Sequence, residues 1–202
     1  MTDKQSYWDN QSDIYQYPDS PVLKNIPGIK DEQELASFEK LAVANRLEEA
    51  HQFALNKPIK FDLWQNIHRI LFQDIFDWAG QIRTVQMHKN NSIFAHPENI
   101  EREGNQLFTK LNNESDLKNL SKSQFYNRLA YYFSELNALH PFRDGNGRTE
   151  RLLFEIIIAR AGYDVIWDMA SPDEYVQAVI DGYYHYFDKL TIIFKKIIVV
   201  PV

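Results

Sequence analysis

Twelve consecutive residues hold most of the reactive chemistry: His140-Pro141-Phe142-Arg143-Asp144-Gly145-Asn146-Gly147-Arg148-Thr149-Glu150-Arg151. An imidazole, an aspartate, two glycines around an asparagine and three arginines are packed into one stretch. Taken singly, each part is ordinary. A histidine after a helix is usually a cap, Asp-Gly-Asn-Gly is a turn signal, and paired arginines can form a solvated helix edge. Together they describe a site. Gly145-Asn146-Gly147 before an apolar helix lets backbone N–H groups converge on an anion, and the helix start adds partial positive charge there. Arg148 and Arg151 lie three apart, so they share one helix face. Cations in a first turn oppose the helix dipole, and an anionic ligand resolves that conflict. Asp144 has the chemistry to hold Mg2+ beside phosphate oxygens. His140 is suited to take a proton from an attacking hydroxyl. Base, metal ligand, phosphate cradle and charge clamp are the parts for group transfer from a nucleoside triphosphate. The spacings of the Walker loop and of the dinucleotide-binding fingerprint are both absent.

The flanking sequence must position these groups, and its patterns are mainly helical. Residues 7–31 read as an irregular arm rich in Tyr, Pro and Asn. From Asp31, a candidate N-cap with Glu34 three residues on, a helix is expected to about Leu55, ended by Lys57-Pro58. Leu63, Trp64, Ile67, Ile70, Leu71, Ile75 and Phe76 form a helical stripe within Phe61 to Trp78, closed by Ala79-Gly80. Gln81 to Ala95 changes character. Thr84-Val85-Gln86-Met87 and Ile93-Phe94-Ala95 flank the turn-forming Lys89-Asn90-Asn91-Ser92, the pattern of a short hairpin. Pro97 opens a helix to about Leu111, followed by a polar loop over 112–116. From Ser121, residues Phe125, Leu129, Tyr132, Phe133 and Leu136 mark an amphipathic helix. Arg148 to Ala161 is apolar almost all round, which predicts a helix through the core that Gly162 closes. Ser171-Pro172 starts the next helix, and Leu190 to Val202 reads as a last one.

Composition agrees with an all-α (mostly α) single domain carrying one small hairpin. The chain has 202 residues with 7 glycines and 8 prolines, below the usual share of both. It has no cysteine, which excludes thiolate metal sites and a cysteine nucleophile. With 22 basic against 28 acidic residues the net charge is −6, which weighs against nucleic acid as a partner. No apolar run reaches the ~18 residues of a membrane span, and the polar N-terminus shows no secretory leader; a cytoplasmic protein is expected. His68, His88, His96 and His185 are scattered without metal-binding spacing.

The segment His140 to Arg151 resembles the Fic motif, His-x-Phe-x-(Asp/Glu)-Gly-Asn-Gly-Arg-x-x-Arg, at every defined position. Ile67 to Arg83 is similar to the helix and hairpin lead-in of Fic domains. Tyr15-Gln16-Tyr17-Pro18 with Leu23-Lys24-Asn25 is similar to the arm of stand-alone bacterial Fic proteins. The resemblance implies a helical bundle over 31–202 with an arm over 1–30, and a hairpin flap above the active site. It implies a protein adenylyltransferase that moves AMP from ATP to a target Ser, Thr or Tyr hydroxyl. His140 would be the base and Asp144 the Mg2+ ligand. Gly145, Asn146 and Gly147 would form the anion hole, and Arg148 and Arg151 would clamp the outer phosphates. Lys89, Asn90, Asn91, Ser92, Ile93, Phe94 and Ala95 would be the flap that pairs with an extended target segment, with Lys89 and Asn90 near the nucleotide. Gly147 and Arg148 differ from the kinase-like Doc branch and favour nucleotidyl transfer. UMP, GMP or phosphocholine as the transferred group, or a nucleotide-binding module without catalysis, are the alternatives. The inhibitory Ser/Thr-x-x-x-Glu-Gly/Asn pattern of many Fic proteins is not found, which implies a separate small antitoxin-like protein supplying the glutamate toward Arg151.

Overall fold

The computed structural model describes residues 13–89 and 92–201, and these form seven α-helices with two short antiparallel strand pairs. Helix α1 (Glu32–Leu55) begins where Asp31 Oδ1 accepts the N–H groups of Gln33 and Glu34 at 3.0 and 2.8 Å, so an aspartate N-cap starts it as expected. Helix α2 (Phe61–Phe72) buries eight of its twelve residues. It ends six residues short of the predicted Trp78. Beyond Phe72 the backbone turns tightly, with Ile75 and Phe76 N–H both donating to the Phe72 carbonyl. The Ile75 carbonyl accepts from Ile26 of the arm instead of continuing a helix. Ile75, Phe76 and Trp78 still reach the core, so the apolar stripe reported burial correctly and conformation incorrectly.

Strands β1 (His88–Lys89) and β2 (Ser92–Ile93) form the expected hairpin, with His88 opposite Ile93 and Lys89 opposite Ser92. Asn90 and Asn91 lie outside the described residues. Helix α3 (Pro97–Asn113) starts at its proline and runs two residues past the predicted end. Helix α4 (Lys122–Leu139) is opened by a capping box, in which Ser121 Oγ accepts from Gln124 N and Gln124 Oε1 accepts from Ser121 N. Helix α5 (Asn146–Arg160) crosses the core with Leu152, Leu153, Phe154, Ile156, Ile157 and Ile158 all buried.

Helix α6 (Pro172–Tyr183) is capped by Ser171 as expected, and α7 (Asp188–Ile197) closes the bundle. The apolar C-terminal stretch is not helical throughout. Residues Ile198–Val199 form β4, which pairs antiparallel with β3 (Asp164–Val165), a second strand pair that the sequence patterns did not indicate. The helices share one apolar core, and Val22 and Leu23 of the arm are buried in it. Asp13 forms a buried ion pair with Arg143, which fastens the arm to the turn between α4 and α5.

Candidate active site

The turn between α4 and α5 is built by side chains that bond to its backbone. His140 ends α4 in the left-handed conformation, φ 46°. Phe142 then drops into the core, wholly buried and stacked on His68 at 3.9 Å. Asn146 closes the loop on itself: its Oδ1 accepts from Phe142 N at 2.9 Å and its Nδ2 donates to Phe142 O at 2.7 Å. Gly145 sits at φ 77° with Phe72 packed against it, so a Cβ there would meet the ring at 2.3 Å. The helix starts at Asn146, two residues earlier than predicted, so the Asn146-Gly147-Arg148 backbone is itself the first turn. Its N–H groups are the helical donors without intrahelical acceptors, and no acidic side chain occupies this turn.

His68 holds the other side of the turn. Gly80 N–H donates to His68 Nδ1 at 2.8 Å, so Nε2 carries the proton and donates to the Asp144 carbonyl at 2.9 Å. Burial pulls His68 down to about 3, which keeps it neutral, and the two hydrogen bonds fix its tautomer.

His140 Nδ1 lies 3.2 Å from the Asn137 carbonyl. A carbonyl only accepts, so Nδ1 carries the hydrogen and Nε2 presents its lone pair. The ring stacks on Phe94 of the hairpin at 3.8 Å. Desolvation first, and then the cations Arg83 and Lys89, lower His140 to about 3. The imidazole is therefore neutral near pH 7, with the Nε2 lone pair as its acceptor atom.

Arg83 ties the hairpin to this histidine. It is 1% exposed and donates to three carbonyls: Nε to His140 at 2.8 Å, Nη1 to Val85 at 2.7 Å and Nη2 to Ala95 at 2.6 Å. Burial lowers it to about 10. Its own N–H bonds the Pro141 carbonyl at 2.9 Å. Tyr183 of α6 adds a latch on the other strand, its hydroxyl donating to Ile93 O at 2.7 Å and accepting from Ile93 N at 2.9 Å.

The arginines of the motif have three different fates. Arg143 pairs with Asp13, and both side chains are buried. Arg148 lies over the Phe72 ring with Nη1 3.0 Å from Glu39 and Nη2 3.5 Å from Asp144. Arg151 makes no ion pair among the described residues. Its Nη1 stands 4.0 Å from where a Gly147 Cβ would be, placing the guanidinium over that glycine. Asp144 Oδ1 accepts from Gly145 N at 2.6 Å, and the side chain is 44% exposed. Glu150 is buried, with Oε2 accepting from Asn137 Nδ2 at 3.1 Å and Oε1 without a hydrogen-bond partner among the described residues. Desolvation pushes it up to about 8.

The structure thus brings His140, Asp144, Gly145, Asn146, Gly147, Arg148 and Arg151 to one turn and one helix start. The Asn146 side chain is committed to the loop, leaving its backbone to face a ligand. Lys89, Ser92, Ile93, Phe94 and Ala95 stand on the adjoining hairpin. A groove of about 680 Å3 runs beside β2 along Ile93, Ala95, Ser134, Leu139 and Tyr183. It takes no lining residue from 140–151. Sequence reasoning did not assign Asn137, nor Arg83, His68 and Glu39, whose contacts to the motif span 57, 76 and 109 residues.

Residues 58–158 match the model of the Fic/DOC family. The chain is 37% identical over 188 residues to the "Probable protein adenylyltransferase Fic" of Escherichia coli, covering 92% of each. It is 35% identical to the "Protein adenylyltransferase VbhT" of Bartonella schoenbuchensis, spanning 94% of this chain but only 40% of that protein's length. Among solved structures, BepC from Bartonella tribocorum with bound AMPPNP superposes with TM-score 0.81 at 28% identity, covering 93% of this chain and 97% of that one.

Proposed function

The chain belongs to the Fic/DOC family, and from that premise we propose that it is a protein adenylyltransferase, moving AMP from ATP to a hydroxyl side chain of a target protein. The observation that carries the reading is the neutral His140, its Nε2 lone pair unengaged among the described residues, beside a helix start that offers N–H groups and Arg151 to an anion. The relatives named protein adenylyltransferase, and the nucleotide analogue in BepC, support it.

In this reading the target hydroxyl oxygen attacks the α-phosphorus and its proton passes to His140 Nε2. The bond from that phosphorus to the α,β-bridging oxygen breaks, and pyrophosphate leaves with the electron pair. Backbone N–H groups at Asn146 to Arg148 stabilise the phosphate charge, while Arg148 and Arg151 hold the outer phosphates. Residues 31–202 act as the catalytic domain with 1–30 as its arm. Lys89 to Ala95 form the flap that aligns the target by strand pairing; its tip, Asn90 and Asn91, lies outside the described residues.

No group of three or more potential metal ligands occurs among the described residues. Asp144 alone fits a Mg2+ that arrives with the nucleotide, since such ions use one or two carboxylates plus phosphate oxygens. When bound, the ion would neutralise phosphate charge and fix its orientation. We further infer a cytoplasmic site of action and an inhibitor in trans, a small antitoxin-like protein whose glutamate would meet Arg151. No helix among the described residues is long and apolar enough to cross a membrane.

The test is a donor panel. The chain and its His140→Ala variant are incubated with host lysate and each α-labelled nucleoside triphosphate. Label arriving on protein from ATP and vanishing in the variant supports the proposal. Transfer from UTP or GTP alone, or binding without transfer, would replace it.

A further inference from the structure

Glu39 projects from α1 toward the start of α5, and its Oε2 accepts from Arg148 Nη1 at 3.0 Å with the carboxylate side chain only 12% exposed. The other end of the guanidinium points to Asp144, 3.5 Å away, and its plane rests on Phe72. Arg148 is therefore gripped at one end by a sheltered residue and touched at the other by an exposed one. A guanidinium has five N–H donors, so one bond to Glu39 leaves the rest for a ligand.

We propose that Glu39 is a positioning residue for the polyphosphate clamp, holding one end of the Arg148 fork so that the other turns to the phosphates when Asp144 releases it. The inference rests on the reading of the site as a nucleotide site. The alternative role for a glutamate this close to a phosphate site is an internal brake, and its placement argues against that. It approaches from α1, bonds Arg148, and does not come within 4 Å of where a Gly147 Cβ would stand. A freely rotating arginine must give up side-chain entropy when it binds, and Glu39 removes that cost beforehand at the expense of one more negative charge nearby.

The two roles predict opposite signs. Titration of the full chain with Mg2+ and a non-hydrolysable ATP analogue gives Kd for wild type, Glu39→Ala, Glu39→Gln, Arg148→Ala and the Glu39→Ala/Arg148→Ala double variant. Positioning predicts about fivefold or more weaker binding in Glu39→Ala, with the loss appearing in KM for ATP. Glutamine keeps the accepting oxygen and restores affinity. In the Arg148→Ala background Glu39→Ala has no further effect. Tighter binding by both Glu39 variants, or unchanged binding in Glu39→Ala, overturns the proposal while leaving the nucleotide site standing. A wild-type chain that binds no analogue overturns the nucleotide reading and this inference with it.

Discussion

One substitution made at two glycines, two residues apart, separates the fold of the motif from its chemistry. Gly145 holds φ 77°, and a Cβ there would stand 2.3 Å from the Phe72 ring. The left-handed conformation costs a non-glycine residue roughly 1–2 kcal/mol, and forcing a methyl into a packed aromatic adds roughly 1–3 kcal/mol. Gly145→Ala should therefore destabilise the protein by about 2–5 kcal/mol, lowering Tm by roughly 5–15 °C for a chain of this size. Gly147 has helical backbone and nothing nearer its Cβ position than Arg151 Nη1 at 4.0 Å. Gly147→Ala should stabilise the helix by about 0.5–1 kcal/mol. The added methyl, however, would enter the space between the first-turn backbone and Arg151, where the phosphates are proposed to lie. Urea unfolding and titration with an ATP analogue measure both effects on the same samples. The account requires Gly147→Ala to be at least as stable as wild type and markedly weaker for nucleotide. Full nucleotide affinity in Gly147→Ala would refute the cradle, and wild-type stability in Gly145→Ala would refute the packing of the turn.

Arg83→Lys puts a point charge where a fork meets three carbonyls, so at least one buried carbonyl loses its partner. Single-turnover kinetics should show the rate falling about 10- to 100-fold, while analogue affinity stays within about threefold; equal losses in both would contradict a role centred on His140. Arg151→Ala should weaken triphosphate binding in the same titration, and unchanged affinity would remove Arg151 from the clamp. Glu150 is raised from 4.5 to about 8, so between those values the native state binds a proton that the unfolded state has lost, and stability falls as pH rises. His68 is lowered from 6.5 to about 3, and its contribution is lost as pH falls below 6.5. Urea unfolding across this range should find Glu150→Gln gaining on wild type as pH rises from 5 to 8, by about 1.4 kcal/mol per unit at most; parallel pH profiles would contradict a neutral buried Glu150.

The candidate site was readable where its chemistry is contiguous. Twelve residues supply the proposed base, the carboxylate, the glycines and the arginines, and local side-chain caps at Asp31, Ser121 and Ser171 announce three helix starts. What stayed hidden depends on contacts between remote segments. His140 is steadied by Arg83, 57 residues earlier, and Asp144 by His68, 76 earlier. Arg148 is held by Glu39, 109 earlier. Neither periodicity nor composition marks such pairs. The early end of α2 has the same origin, since the arm captures the Ile75 carbonyl. The pairing of β3 with β4 joins two-residue strands on either side of two helices, too short to show a period of two.

The central claim is that AMP, and not the terminal phosphoryl group, passes from ATP to a protein hydroxyl with His140 taking the proton. The most direct measurement supplies ATP labelled at the α-phosphate or at the γ-phosphate to the same lysate, with wild type and His140→Ala in parallel. The account predicts labelled protein from the α-labelled donor with wild type only. Label arriving from the γ position, or persisting at the wild-type level in His140→Ala, would contradict it.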